Sequence, residues 1–319
     1  MNKLIRMLDT NLSAIIDLSM FNLIRIGLKY GIFNELDGRR HYADILMAIP
    51  IKNKPLLKSL LDTYGKIGVV GTGFNEIWAK DFYYKLALTK EKNKYLIPDW
   101  IPIFEEIYKM IDYAAISPEH PKILMDFDKD ADFWDMRLNT GLNSVYRHLI
   151  KRIGLLRDGM RVLDLGCGSV SPVEIGRFVG PNGEYVGVDF SPGTLSIAKQ
   201  KIKDLGLDWV ILKEMDIRSI IPKRKYDVVI MSFVLEYIPD IQSVIRKAVQ
   251  ALDENGKLVI VDPFRENYPD IEAWEFFESL TKEFVKFPSK AEIINALEYN
   301  GYTFIPREFG KSVLVFELQ

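Results

Sequence analysis

Cysteine is all but missing from this chain: Cys167 is the only one in 319 residues, which excludes an internal disulfide framework and any multi-cysteine zinc site. A reducing cytoplasm suits such a chain. Histidine is nearly as scarce, with His41, His120 and His148 all in the first half. Long apolar runs are absent as well. The richest stretch, Leu12 to Leu28, is broken by Asp17, Asn22 and Arg25, so it reads as too polar to span a membrane. The opening Met1-Asn-Lys-Leu-Ile-Arg6 has neither the apolar core nor the cleavage site of a signal peptide. No strong charge of one sign is present, since 42 Lys and Arg face 44 Asp and Glu. With 48% apolar and 27% charged residues, the composition is that of a globular protein, and its length suggests two domains.

What is there is concentrated in Arg161-Val-Leu-Asp-Leu-Gly-Cys-Gly-Ser169. Val162, Leu163 and Leu165 form a short buried strand, and Gly166 and Gly168 mark a turn that lets backbone approach a ligand. Ser171-Pro172-Val173-Glu174 then opens a helix, with Ser171 as candidate N-cap and Glu174 completing a capping box. Asp189, 21 residues after Gly168, ends the next apolar run, where a carboxylate can accept both hydroxyls of a ribose. The pattern implies an adenosine-type ligand. A dinucleotide fingerprint would want a third glycine where Ser171 stands.

The order Asp164-Leu-Gly166-Cys167-Gly168 resembles the first motif of class I S-adenosylmethionine (SAM) methyltransferases, with Val170 where that family usually has its last glycine. From residue 155 the chain alternates strand and helix as a parallel doubly wound sheet does. We read strands at 161–165, 185–189, 209–213, 226–232 and 257–262, with a closing pair at 302–306 and 313–318. Seven strands ending in a hairpin resemble the methyltransferase sheet, whose last strand runs antiparallel. The expected fold is therefore α/β: a seven-stranded Rossmann-like methyltransferase sheet at 151–319, connecting helices at 96–150, and a mainly helical, winged-helix-like domain at 1–95. Asp132 to about Arg152 reads as one helix leading into the sheet.

The winged-helix expectation rests on helices near Leu12–Leu28, Tyr42–Met47 and Lys54–Tyr64, a hairpin around Gly71 and Gly73, and a following segment Leu86-Ala-Leu-Thr89. The segment resembles the dimerisation domain of small-molecule O-methyltransferases, which implies a homodimer and a part in walling the substrate pocket. Residues 1–95 hold 15 Lys and Arg against 9 Asp and Glu, so nucleic-acid binding is the alternative, but these positives are scattered over several elements. The run Asp126-x-Asp128-x-Asp130 lacks the Gly and Glu that a calcium loop needs, with Ala131 and Arg137 in their places, and no metal is expected.

The resemblance implies SAM as cofactor, held by Asp164, Gly166, Cys167, Gly168, Asp189, Phe190, Asp216, Ile217, Ser232 and Phe233, with Arg137 on the methionine carboxylate. Asp189 would hold the ribose and Asp216 the adenine amino group, with Met215 beside it. The acceptor side would take Trp134, Trp274 and Phe277, which favour a small aromatic or hydrophobic molecule methylated on oxygen. The base is unknown. Plant-type relatives use a histidine after the fourth strand, and this chain has none there; Glu236, Tyr237 and Arg265 are the candidates in its place, with Asp262 near them. Ser-Phe-Val-Leu at 232–235 excludes the Asn/Asp-Pro-Pro-aromatic segment of DNA amino-methylating enzymes, and one thiol is too few for arsenite methylation.

Overall fold

The computed structural model describes residues 1–85, 96–222, 224–301 and 303–318. The N-terminal region starts with one long helix, Asn2–Lys29, followed by helices Tyr42–Ala48 and Lys54–Lys66. Asn53 caps the last of these by accepting the Leu56 N–H at 3.1 Å, and Pro55 sits in its first turn, where a missing N–H costs nothing. Three short strands, β1 (Arg40–His41), β2 (Val70–Gly73) and β3 (Glu76–Ala79), form an antiparallel sheet in the order β1-β3-β2. The expected segment Leu86–Thr89 lies outside the described residues.

The large sheet contains β4 (Arg161–Leu165), β5 (Glu184–Asp189), β6 (Val210–Glu214), β7 (Tyr226–Ser232), β8 (Leu252–Val261), β9 (Phe304–Phe309) and β10 (Val313–Leu318). Its order is β6-β5-β4-β7-β8-β10-β9, with β4 to β8 parallel and β10 antiparallel to both neighbours. The expected strand at 302–306 begins at a residue outside the description and is shifted towards the turn, where β9 pairs with β10. Both faces of this sheet are covered, which is why its strands read as continuous apolar runs. Along β7, Val228 and Ile230 enter one core while Val229 and Met231 enter the other, as a two-residue period requires.

The first helix packs against helices Gly141–Ile153 and Ile271–Glu278, so the N-terminal region shares one core with the sheet. It is long and apolar enough to cross a membrane by composition, yet 56% of its most apolar window is buried inside the protein. Leu12, Ile15, Leu23 and Ile26 are fully buried there. The single helix expected from Asp132 is in fact two, Ala131–Leu138 and Gly141–Ile153. The break falls at Asn139-Thr140, where Thr140 is extended and Asn143 reaches back to the Arg137 carbonyl at 2.5 Å.

Candidate active site

Strand order reverses between β4 and β7, and beyond their C-terminal ends lies a cavity of about 310 Å³. Its floor is the glycine turn. Gly166 and Gly168 have φ of +77° and +58°, and a Cβ at either would come within 2.4 Å of Val234 or 2.8 Å of Leu138. Val170, by contrast, has φ −118° and ψ −39°, a backbone that suits any L residue, and its buried side chain does not line the cavity. The missing third glycine is thus tolerated because this turn needs left-handed backbone only at the first two.

Asp189 braces that turn. One oxygen accepts the Gly168 N–H at 2.8 Å, the other the Ser191 N–H at 3.0 Å, and burial raises its carboxyl against the pull of these donors. It lines the cavity together with Gly166, Cys167 and Gly168. Asp164 does not: it is wholly buried beneath the turn, where Tyr185 donates to it at 2.6 Å and burial lifts its pKa to about 7. Burial pushes the Cys167 thiol up as well, which disfavours the thiolate that a nucleophile needs.

At the third strand end, Asp216 accepts the Arg218 N–H at 2.8 Å and forms an ion pair with its guanidinium at 2.7 Å, which holds its carboxyl low. Asp216, Ile217 and the half-exposed Phe190 line the cavity, whereas Met215 does not. Ser232 and Phe233 close the fourth end. Phe233 is held at φ +49° with its N–H on the Val261 carbonyl, a strained position that turns the ring towards Tyr146, 5.0 Å away.

The same cavity continues between Trp100, Phe127, Trp134, Tyr237, Trp274 and Phe287. Phe127 stacks on Trp134 at 4.3 Å and meets Phe190 and Tyr237 edge-on at 5.6 and 5.1 Å. Arg137, expected on the cofactor's carboxylate, lines the cavity ion-paired with Glu278 at 2.7 Å, and its guanidinium lies over the Trp134 ring at 4.3 Å. Glu278 also accepts from Trp274 Nε1 at 2.8 Å and from the Tyr237 hydroxyl at 3.4 Å.

Of the catalytic candidates, Glu236 and Tyr237 line the cavity and Arg265 does not, because Glu272 and Glu275 hold it on the outer side of their helix. Glu236 is buried against the equally buried Asp262; burial first, and then the neighbouring carboxyl, raise Glu236 well above the ordinary range, which favours the protonated form of the pair. Phe277 also falls away from the acceptor side, packing edge-on against Phe104 at 5.1 Å. Trp100, Phe127 and Glu278 were missed by sequence reasoning. Only the Asp126–Asp130 alternation marked the neighbourhood of Phe127, and its acidic residues hold the loop: Asp126 accepts the Asp128 N–H at 2.9 Å, and Asp128 accepts from the Ser191 hydroxyl at 2.7 Å. Among the described residues no cluster of three or more His, Cys, Asp or Glu could hold a metal ion.

Residues 156–301 match the family model described as a methyltransferase domain. The chain is 31% identical to an uncharacterized protein of Methanocaldococcus jannaschii, over 99% of this chain and 87% of that one. A demethylmenaquinone methyltransferase of Bacillus cytotoxicus is 28% identical over 43% of this chain, which spans 60% of that relative's length. Among solved structures, the CurJ carbon methyltransferase has the same fold over 97% of this chain and 99% of its own, with a TM-score of 0.64 at 14% identity. Residues 156–301 belong to the methyltransferase-domain family, and the fold is that of a class I SAM-dependent methyltransferase. The chain is a methyltransferase and its cofactor is SAM, whose sulfonium supplies an electrophilic methyl group. The open glycine backbone, the carboxylate at the β5 end and the apolar wall at Ile217 suit the polar and flat parts of that molecule.

Proposed function

We propose that this enzyme methylates a small, flat, aromatic or hydrophobic acceptor, with Asp189 on the SAM ribose, Asp216 and Ile217 at the adenine, and Ser232 and Phe233 beside the methionine part. The observation that carries this reading is the continuity of one cavity from the glycine turn into the aromatic walls of Trp100, Trp134 and Trp274. The resemblance of the N-terminal segment to the dimerisation domain of small-molecule O-methyltransferases favours oxygen as the acceptor atom. Carbon is the second reading: no histidine lines the cavity and burial favours the protonated form of Glu236, so the site suits an acceptor that enters already ionised, and an ionised enol offers carbon as well as oxygen.

Calorimetry with SAM and its demethylated product tests the cofactor half; tight binding lost at least about tenfold in Asp189→Ala is the expected result. A mass gain of one methyl on a panel of naphthols, located by NMR on oxygen or carbon, tests the other half. No turnover of any apolar aromatic would defeat the acceptor class. A cytoplasmic setting suits the buried thiol.

We also propose a homodimer through the N-terminal region, where Phe21 and Leu28 on the first helix and Tyr113 on helix Ile101–Ala115 are exposed. Four basic residues of the region are engaged in ion pairs, Arg25 with Glu105, Lys29 with Asp112, Arg39 with Glu76 and Arg40 with Glu35, which argues against a nucleic-acid surface.

A further inference from the structure

Three nitrogen donors at the acceptor end have no hydrogen-bond acceptor although they are buried: Nη1 of Arg137, Nε1 of Trp134 and Nε1 of Trp100. All three residues line the cavity, and their exposures of 6%, 5% and 5% leave water little access. They also belong together, since the guanidinium sits 4.3 Å from the Trp134 ring centre and 5.3 Å from that of Trp100. A buried donor without a partner costs free energy, so such a group in a folded protein calls for a ligand that completes it.

The Glu278 carboxylate beside them is already engaged by other donors. Glu278 takes Arg137 Nη2 and Trp274 Nε1 on one oxygen and the Tyr237 hydroxyl on the other. Its charge cancels that of Arg137, while the Glu236–Asp262 pair is held towards its protonated form by burial. Glu236, whose Oε2 is likewise buried without a partner, lines the same cavity but is held towards its protonated form by burial, so the donors beside the aromatic box suit an oxygen anion more than a cation or a hydrocarbon.

We infer that the acceptor carries an anionic oxygen group, a carboxylate or an ionised phenol or enol, bound by Arg137 Nη1 and the indole N–H groups of Trp100 and Trp134. This rests on the apolar-acceptor reading above and adds the polar feature that orients the molecule. It takes Arg137 from the cofactor's carboxylate and gives it to the substrate.

The test is calorimetry on the full chain saturated with the demethylated cofactor, using two matched pairs of probes. Naphthoate against naphthamide forms the carboxylate arm, and dinitronaphtholate against its methyl ether the phenolate arm. In the intact protein the anion of at least one pair should bind about tenfold tighter than its neutral partner. In Arg137→Gln/Glu278→Gln, which leaves no lone buried charge, that preference should vanish while cofactor affinity stays within about twofold. Trp134→Phe keeps the ring and removes the donor; it should cut the preference several-fold and serves if the double variant does not fold. Neutral probes binding as well as the anions would overturn the inference alone, as would a double variant that loses the cofactor and keeps the preference. If neither anion nor neutral probe binds, the apolar-acceptor reading falls and takes the inference with it.

Discussion

Single residues of the turn show how little freedom the site has. Adding a methyl at Gly166 meets Val234 at 2.4 Å and forces an L residue to φ +77°. Gly166→Ala should therefore cost roughly 2–4 kcal/mol, the sum of left-handed backbone and overpacking, and lower the thermal midpoint by on the order of 10 °C. Pairing it with Val234→Ala should restore only the packing part. Asp164 carries a second residue-scale prediction. Its carboxyl titrates near 7 in the folded protein, against an ordinary value of 3.8, so the native state holds a proton that the unfolded chain gives up as pH rises between these values. Stability should fall across that window, with Glu236 and Asp262 acting in the same direction; the low-lying Asp126, Asp158 and Asp216 titrate below it. Thermal midpoints measured from pH 5 to pH 8 should drop in the native chain and flatten in Asp164→Asn, whose amide oxygen can still accept from Tyr185. A profile unchanged by the substitution would count against this reading.

Elements, more than residues, decide what covers the site. The segment carrying Phe127 is clipped to the far side of the cavity, with the N–H groups of Leu124 and Met125 on the Leu280 carbonyl and Lys282 returning to Met125. Phe127 thereby reaches Trp134, Phe190 and Tyr237 at once. Phe127→Ala should loosen this roof. An increase of about tenfold in KM for an apolar acceptor, from one lost aromatic side chain in contact with it, is expected, with kcat changed less. Equal falls in kcat and kcat/KM would instead place Phe127 in the transition state. The strands were legible because a sheet buried on both faces leaves apolar runs punctuated by turn residues, as in Arg161–Leu165 and Tyr226–Ser232. The break at Asn139-Thr140 was not, since helical periodicity continues across it and only Asn143 reaching back to Arg137 marks the turn.

On the scale of the whole molecule, the N-terminal region and the sheet share a core, from Leu8 and Leu12 to Val313 and Val315. Asp9 closes the join: it accepts the Lys311 N–H at 3.0 Å and the Tyr268 hydroxyl at 3.4 Å. Calorimetry should show one cooperative transition in place of separate melts for 1–95 and 151–319. Asp9→Ala should lower that transition without splitting it. Sedimentation should report a dimer for the native chain and a monomer for Phe21→Glu/Leu28→Glu; a native monomer would remove the proposed interface.

The sequence by itself determined the sheet, its glycine turn and the acidic residues at its strand ends, because these depend on short-range spacing: short apolar runs between turn residues, glycine at the two positions where φ is above zero, and a carboxylate 21 residues on. Only the tertiary structure decided which side chains face the cavity. Asp164 went beneath the turn and Arg265 and Phe277 to other partners, while Arg137 faces the cavity paired with Glu278, and Trp100 and Phe127 came in from segments whose patterns did not point to it. Contacts between residues more than a hundred positions apart, as Arg137 and Glu278 are, leave no periodic trace in a single chain; they exist only once packing has fixed which faces meet.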